Sequence, residues 1–429
     1  MKNAFLPLIL AFTVHADWKQ WRGPTGQGHA NANLPIEWNE KKNIKWRTTI
    51  PGKGWSSPVI EGNQVWMTTA FETVASEEER RERLKKNTGG VPVHVLSSVR
   101  LNAVCVDKQN GKLLHNIEVI TKKQPQWVHK LNSYASPSPI IESGRVYCHF
   151  GAYGTVCVDA KTGKVAWRND KVWVMHENGP GSTPVLWKDL LIFHMDGSDQ
   201  QFVVALDKAT GKERWRTKRS GKMHDNHQLK KSYGTPVLRE VDGQPVLLSP
   251  GSNWLYAYSP ATGKELWKVE YGGLGFSLVP RPVTGHGMIF MSTGYMRPKL
   301  LAVRYEKTAK PDIAWSYSRS VSTQPSPLLV GDELYFITES GGLVTCLNAH
   351  TGEKHWVERI GGNYSSSPTY ASGKIYFHSR EGETTVLQAG KTFKVLAKNK
   401  LGGQHMASAA VDGDALILRT DKALYRIGK

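Results

Sequence analysis

Residues 156–167 read VCVDAKTGKVAW, residues 204–215 read VALDKATGKERW, and residues 256–267 read YAYSPATGKELW. In each copy an apolar run ends at Asp or Ser, a Gly follows four residues later, and a Trp follows four residues after the Gly. Asp and Ser side chains bond the backbone of their own turn, and Gly accepts the positive φ that other residues resist. The pattern therefore predicts a β-hairpin whose returning strand carries the Trp.

Tryptophan occupies this returning, outer strand in six units. One small sheet cannot bury its own face, so we expect each ring to pack against the next unit of a repeat fold with a period of roughly 40–50 residues. The positions are Trp46, Trp167, Trp215, Trp267, Trp315 and Trp356.

A second motif precedes the hairpins and sets the number of units at eight. It is a Ser- or Thr-rich step into Pro, followed by apolar residues, a Gly-containing turn and a β-rich run. It recurs at Pro58, Pro139, Pro184, Pro236, Pro282, Pro327, Pro368 and, with Ala in place of Pro, at Ala409. Each unit offers four short strands, and four-stranded units repeated radially form the blades of a β-propeller. We predict an all-β protein with a single eight-bladed β-propeller domain over residues 17–429.

The chain ends predict how the ring closes. Residues 43–47 read NIKWR, a lone outer strand ahead of the first unit, and the last unit stops after its third strand at residues 424–427. Residues 43–49 are therefore expected to complete the eighth blade and join the two ends of the chain. It follows that a deletion of residues 17–50 should destabilise the ring far more than a deletion of residues 17–38.

The first 16 residues predict an export signal. Lys2 precedes an apolar run over residues 4–14 that is too short for a stable membrane anchor, and the VHA sequence before Asp17 resembles a small-residue cleavage site. We expect cleavage after Ala16 and a periplasmic or secreted protein without a transmembrane segment.

The four cysteines are expected to differ in role. Cys105, Cys157 and Cys346 occupy the same third-strand position in three units, where free thiols fit as small buried apolar groups. A hairpin centred on residues 152–153 would place Cys148 opposite Cys157, within disulfide reach and in a compartment that allows the bond. The sequence leaves open whether Cys148 and Cys157 form a disulfide.

The chain is basic, with 56 Lys and Arg against 37 Asp and Glu and a formal net charge of +19. The basic residues are spread over the turns, without a basic block interleaved with aromatic side chains. This distribution is typical of a solvated surface rather than a dedicated polyanion site, so we expect no nucleic-acid partner.

Residues 72–98 form a polar insertion in the first blade. The sequence SEEE at residues 76–79 is a capping box that predicts a short helix, supported by the pairs Glu77/Arg81, Glu79/Arg83 and Glu82/Lys86. We expect a solvated excursion on the same face as the blade-to-blade connections.

Three successive blade-to-blade connections carry similar polar clusters, at residues 128–132, 175–178 and 223–227. We expect them to converge near the ring axis, where imidazoles and carboxylates could bind a metal. The His residues have no tight spacing, so ordinary loop capping and a small-ligand or glycan pocket stay open as alternatives, and we assign no catalytic and no metal-binding residue. The candidate ligand-binding residues, including two that enter this face from other blades, are His129, Asn132, His176, Glu177, Asn178, His224, Asp225, Asn226, Arg281 and Asn363.

The repeats VCVDAKTGKVAW and ALDKATGKERW resemble the quinoprotein propeller repeat, which PQQ-dependent alcohol dehydrogenases share with the outer-membrane assembly factor BamB. A narrower resemblance, to the exported PQQ-like propellers abundant in planctomycetes, rests on four segments. These are DWKQWRGP at 17–24, LNSYASPSP at 131–139, MHENGPGSTP at 175–184 and SREGETTV at 379–386. The resemblance implies the propeller fold over nearly the whole chain after residue 16, and for the narrower group it implies no established activity.

The chain departs from the quinoprotein enzymes where they bind their cofactor. It has no Cys-Cys pair of the kind that contacts the cofactor ring, and the Glu/Asn/Asp set that holds Ca²⁺ beside a catalytic Asp does not map onto positions here. It also lacks the lipidated Cys of BamB. We predict a non-catalytic binding or scaffold propeller without a cofactor, which binds a protein, a glycan or a small polar ligand on the loop face. The alternative is a PQQ-dependent, Ca²⁺-containing or otherwise metal-assisted oxidoreductase that uses the axial cluster.

Overall fold

The computed structural model describes residues 17–85, 94–273, 275–306 and 310–429. It shows eight four-stranded antiparallel sheets, and the innermost strands of neighbouring sheets contact one another around a central axis. The predicted all-β, eight-bladed β-propeller is therefore confirmed. The predicted export signal, residues 1–16, lies outside the described residues.

Each blade runs outward from the axis. The strands of blades 1 to 4 are Val59–Glu61, Gln64–Val74, Leu96–Asp107 and Leu113–Lys123; Ile140–Glu142, Arg145–His149, Thr155–Asp159 and Val165–Asn169; Val185–Trp187, Leu190–Asp196, Gln201–Asp207 and Glu213–Lys218; and Val237–Val241, Gln244–Pro250, Trp254–Tyr258 and Glu265–Glu270. The strands of blades 5 to 8 are Val283–Gly285, Met288–Ser292, Leu300–Arg304 and Asp312–Tyr317; Leu328–Val330, Glu333–Ile337, Leu343–Asn348 and Lys354–Arg359; Thr369–Ala371, Lys374–His378, Glu383–Gln388 and Val395–Lys400; and Ala410–Asp412, Ala415–Arg419, Ala423–Ile427 and Ile44–Thr49.

Closure of the ring follows the prediction. The N-terminal strand Ile44–Thr49 pairs antiparallel with Ala423–Ile427 as the outer strand of blade 8, with Thr49 opposite Ala423. Hydrogen bonds between the two ends of the chain therefore complete the last blade.

The outer-strand tryptophans join neighbouring blades, as predicted. Trp167 of blade 2 donates its Nε1–H to the carbonyl of Lys208 in blade 3 at 3.0 Å. The ring lies against Gly211 of the same turn, where φ is +71° and a Cβ would come within 2.4 Å of the indole. Gly at this repeat position is needed for both its backbone angle and this contact.

The polar insertion contains the predicted helix, Glu77–Leu84, whose N-cap Ser76 accepts a hydrogen bond from the N–H of Glu79. The neighbouring strands reach Val74 and Leu96, so the break between them is shorter than residues 72–98. Arg83 anchors the helix by donating to the carbonyls of Leu96 and Pro125 at 2.6 and 2.8 Å. Lys86 of the third predicted ion pair lies outside the described residues. Across the described ranges, no helix is long and apolar enough to cross a membrane.

The bond between Cys148 and Cys157 that the sequence left open is not formed in this structure, where all four cysteines are buried free thiols. The hairpin register differs from the expected one by one residue, so Cys157 pairs with Tyr147 while Cys148 pairs with Val156. Because neighbouring strand residues point to opposite faces of a sheet, the two thiols enter different interfaces between blades.

An N-terminal segment, residues 17–30, fills the centre of the ring. The carbonyls of Trp18, Lys19 and Gly28 accept hydrogen bonds from the inner-strand N–H groups of Ile60, Ile141 and Tyr370, at 2.8, 2.9 and 2.8 Å. Its end, His29–Ala30, adds a short parallel strand to blade 7.

Residues that follow this segment are also buried in the hydrophobic core. Trp18, Leu34 and Trp38 are all buried in the hydrophobic core beside blade 8. A deletion of residues 17–38 would therefore also remove buried core side chains.

Hydroxyl groups connect the blades around the axis. The residue two positions before the inner strand is Ser or Thr in seven blades, and its hydroxyl accepts a hydrogen bond from the equivalent N–H of the preceding blade at 2.9 to 3.1 Å. These residues are Ser57, Ser138, Thr183, Thr235, Ser326, Ser367 and Ser408. Blade 5 has Arg281 at this position, so the ring of hydrogen bonds is open between blades 4 and 5.

Candidate functional site

Two of the predicted polar clusters on the loop face contact each other. Asn132, in the connection before blade 2, donates its side-chain amide to the carbonyls of Asn178 and Pro180 in the next connection, at 2.7 and 3.1 Å. The backbone N–H of His129 also bonds the carbonyl of Asn178. These side chains hold two connections together.

The second cluster is tied to the third connection. His176 is buried, and its Nε2 accepts the N–H of Ala152 at 2.7 Å, while burial lowers its pKa to about 4. Its carbonyl accepts the hydroxyl of Tyr233 at 2.6 Å. The Glu177 carboxylate pairs with the buried Lys231 ammonium at 3.0 Å. The polar groups of this cluster therefore bond neighbouring connections.

The remaining predicted site residues lie apart from these two clusters. His224 accepts the N–H of Asn226 and Asn226 accepts the N–H of Gln228, so both close turns within their own loop, beside the exposed Asp225. Asn363 donates to Glu381 at 2.7 Å in another sector. His129, His176 and His224 thus have three different environments.

Exposed apolar side chains gather on the loop face, which sequence analysis did not predict. Five of them lie in the connections and loops of blades 2 to 5, with exposed fractions from 37% for Val279 to 68% for Met296. We call these five residues the apolar patch: Trp173, Met175, Val279, Tyr295 and Met296. Single exposed apolar residues are ordinary, but several on one face are typical of an interaction surface.

Hydrogen bonds fix the loops that carry the patch residues. The N–H of Met175 bonds Asp199 at 2.7 Å, and the N–H of Tyr295 bonds the carbonyl of Phe276 at 2.8 Å. Between these points the N–H of Tyr233 bonds the carbonyl of Leu278 at 2.6 Å. The buried Arg219–Asp196 ion pair, at 2.8 Å, supports the same sector.

A cavity of about 970 Å³ lies on the axis between residues 17–30 and the inner strands of blades 2 to 5. Its apolar wall includes Ile140, Ile141, Val185, Leu186 and Leu238. Its charged lining residues are Asp17, Lys19, Glu142, Arg239 and Arg281. Glu142 ends an inner strand, so the cavity extends toward the face opposite the blade-to-blade loops.

Arg281 belongs to this cavity rather than to the loop face. Its Nη1 donates to the carbonyl of Trp21 at 3.1 Å, and the side chain is almost fully buried. Burial, together with the charges of Arg22 and Arg239, lowers the pKa of Arg281 to about 9. The guanidinium therefore stays protonated at neutral pH.

One group of described residues has the geometry to hold a metal ion. His286, Asp332 and His350 lie on exposed hairpins of blades 5 and 6, and their ligand atoms are within 4.8 Å of one another. The carboxylates near the axis are already paired, Asp17 with Lys19, Glu142 with Lys208 and Asp196 with Arg219. Each of these three carboxylates thus has a cationic side chain as a neighbour.

Known proteins show the same fold. BamB from Moraxella catarrhalis superposes with a TM-score of 0.54 and 13% identity, over 78% of this chain and 100% of that chain. The quinohemoprotein alcohol dehydrogenase from Comamonas testosteroni superposes with a TM-score of 0.61 and 11% identity, over 96% of this chain and 81% of that chain. A europium-containing methanol dehydrogenase superposes with a TM-score of 0.54 and 10% identity, over 96% of this chain and 89% of that chain. At these identities the likeness is one of fold alone, and no curated protein sequence matches the chain.

The sequence itself matches one family model over two overlapping segments, residues 31–217 and 199–428. Together these segments span all eight blades. The resemblance to PQQ-like propellers is therefore confirmed, and the chain belongs to the family described as outer membrane protein assembly factor BamB.

Proposed function

We propose that this propeller is an exported binding protein that holds a protein partner on its loop face, without catalysing a reaction. The apolar patch is the observation that carries the proposal. Of the six other large apolar side chains that are exposed within the described ranges, five lie on outer strands and one, Val74, lies in the insertion. Connections fixed by hydrogen bonds present the patch in a preorganised form, which reduces the entropy lost on binding.

The charge around the patch indicates the chemistry of the partner. Lys171 and Arg297 are exposed in the same segments as Trp173 and Met296, and Lys222 is exposed in the connection between blades 3 and 4. Complementary charges at the rim of an interface guide association, while the apolar centre supplies most of the affinity. We therefore expect a partner with an apolar surface bordered by acidic side chains.

The alternative, a PQQ-dependent or metal-assisted oxidoreductase, has less support from the residues near the axis. The fold is shared with such enzymes, but fold alone does not assign an activity. Cationic partners at Asp17, Glu142 and Asp196 disfavour a Ca²⁺ site there, and the sequence has no Cys-Cys pair. We propose no redox step for this chain.

A double substitution in the patch tests the proposed function. Tyr295→Lys with Met296→Lys should leave the melting temperature nearly unchanged, because both side chains are exposed. The yield of the partner that co-purifies from cells making the protein natively should fall at least about tenfold, as expected when an aromatic anchor is lost. Quantitative mass spectrometry of the co-purified proteins measures this yield.

The matched control places the same charges elsewhere on the molecule. Leu266 and Ile313 are exposed at 46% and 36% but lie on the outer strands of blades 4 and 5. Leu266→Lys with Ile313→Lys should retain the partner. Equal losses for the two double variants would rule out the loop face as the binding surface.

A further inference from the structure

Arg281 breaks the repeat at the axis of the ring. Seven blades use a hydroxyl residue there to accept a hydrogen bond from the preceding blade, and blade 5 has a guanidinium instead. The exchange removes one bond between blades and buries a charge, and both changes reduce stability. A residue that breaks a repeated pattern and lowers stability, as Arg281 does here, points to a function.

The N-terminal segment is shaped around this side chain. Gly26 has φ +68°, and a Cβ there would lie 2.5 Å from Arg281 Nη1. Arg22, also almost fully buried, donates to the carbonyls of Gln27 and Pro327 at 2.9 and 2.7 Å. Arg281 Nε and two of the three guanidinium nitrogens of Arg22 have no hydrogen-bond partner.

Positive charge around the cavity is not balanced by the protein. Within the described ranges neither Arg281 nor Arg239 forms an ion pair, whereas Asp17 and Glu142, the acids that line the cavity, pair with lysines. Burial lowers the pKa of Arg239, and the nearby Glu306 offsets this only in part. Buried charges are normally paired, so the site lacks an anion.

We propose that the axial cavity binds a small organic oxyanion. Its carboxylate or phosphate group pairs with Arg281 and Arg239, and its apolar part contacts Ile140, Val185 and Leu238 of the cavity wall. The volume of about 970 Å³ suits a small molecule. This site is separate from the apolar patch, so its test is independent of the proposed partner.

Isothermal titration calorimetry on the full chain from residue 17 tests the proposal with three ligands that share one six-carbon tail. Hexanoate, hexyl phosphate or both should bind at one site per chain, and hexyltrimethylammonium should not. Arg281→Ser should weaken the binding about 10- to 100-fold, the usual effect of losing hydrogen bonds to a charged group. The melting temperature should stay the same or rise, because Ser restores the hydroxyl ring. Arg304→Ser, which removes an exposed arginine of the outer wall, should bind like the wild type.

The outcomes separate the possible ligands and the possible failures. Tighter binding of hexanoate assigns a carboxylate, and tighter binding of hexyl phosphate assigns a phosphate. If Arg281→Ser does not fold, Arg239→Gln serves the same test, since Arg239 lies only partly buried on the cavity wall. Failure of both anions to bind at millimolar concentration, equal binding of the cation, or unchanged binding by the folded variants would overturn the proposal.

Discussion

Acidification from pH 7 to pH 5 is expected to lower the free energy of unfolding by on the order of 10 kcal/mol. The effect comes from five histidines that are buried in the folded protein: His149, His176, His194, His378 and His405. Burial lowers the pKa of His149 and His378 to about 3 and that of His176 and His405 to about 4. It also lowers the pKa of His194.

The sign follows from where each state takes up protons. The unfolded chain binds protons on these imidazoles as the pH falls through 6.5, their ordinary value, whereas the folded protein does not until about pH 4. Their neutral forms therefore stabilise the fold fully above pH 6.5, and this contribution is lost between pH 6.5 and 4. At pH 5 each of the four histidines with a pKa of about 3 or 4 costs about 2 kcal/mol, and their sum, to which His194 adds in the same direction, is comparable to the whole stability of a typical protein.

Denaturant titrations at pH 7, 6 and 5 measure this loss. A variant with His378→Gln and His405→Gln should lose about 4 kcal/mol less than the wild type between pH 7 and 5. A total loss under about 2 kcal/mol for the wild type would contradict the burial of five neutral imidazoles.

Removal of residues 17–50 is expected to prevent folding, whereas removal of residues 17–30 should leave a folded but less stable ring. The longer deletion takes the outer strand of blade 8, which joins the ends of the chain. It also removes Trp46, whose Nε1–H bonds the carbonyl of Lys108 in blade 1 at 2.9 Å. Loss of a buried Trp side chain alone typically costs about 3–5 kcal/mol.

The shorter deletion removes different interactions. It takes Trp18 from the core and exposes the inner-strand N–H groups of Ile60, Ile141 and Tyr370, which water in the open channel can solvate. Near-ultraviolet circular dichroism and thermal melts compare the two truncated proteins. Cooperative melting of both at the same temperature would argue against closure by residues 44–49.

The sequence repeat predicted the fold well because every blade carries nearly the same turn residues and strand pattern. The Asp-to-Trp hairpins, the Pro steps and the outer strand around Trp46 each follow from turn chemistry and strand patterning within a short window. The expected pairing of Cys148 opposite Cys157 differs from the structure because a short turn, Gly151–Tyr153, shifts the register by one residue. Such a shift moves a side chain to the other face of the sheet.

The candidate sites were harder to predict because they depend on contacts between distant blades. Nothing local shows that residues 17–30 lie on the axis, or that His176 bonds the backbone of Ala152 rather than a ligand. One signal was present in the sequence. Arg281 is the single non-hydroxyl residue among eight equivalent positions before an inner strand, and this departure marks the axial cavity.

Site-specific photo-crosslinking in cells that produce the protein natively tests the proposed binding face most directly. A photoreactive residue would replace, one at a time, Trp173, Tyr295 and Met296 of the apolar patch, and Leu266 and Ile313 of the outer wall. The account predicts a discrete adduct of one partner at the three patch positions and none at the two outer-wall positions. Adducts confined to the outer wall, or equally abundant at all five positions, would contradict it.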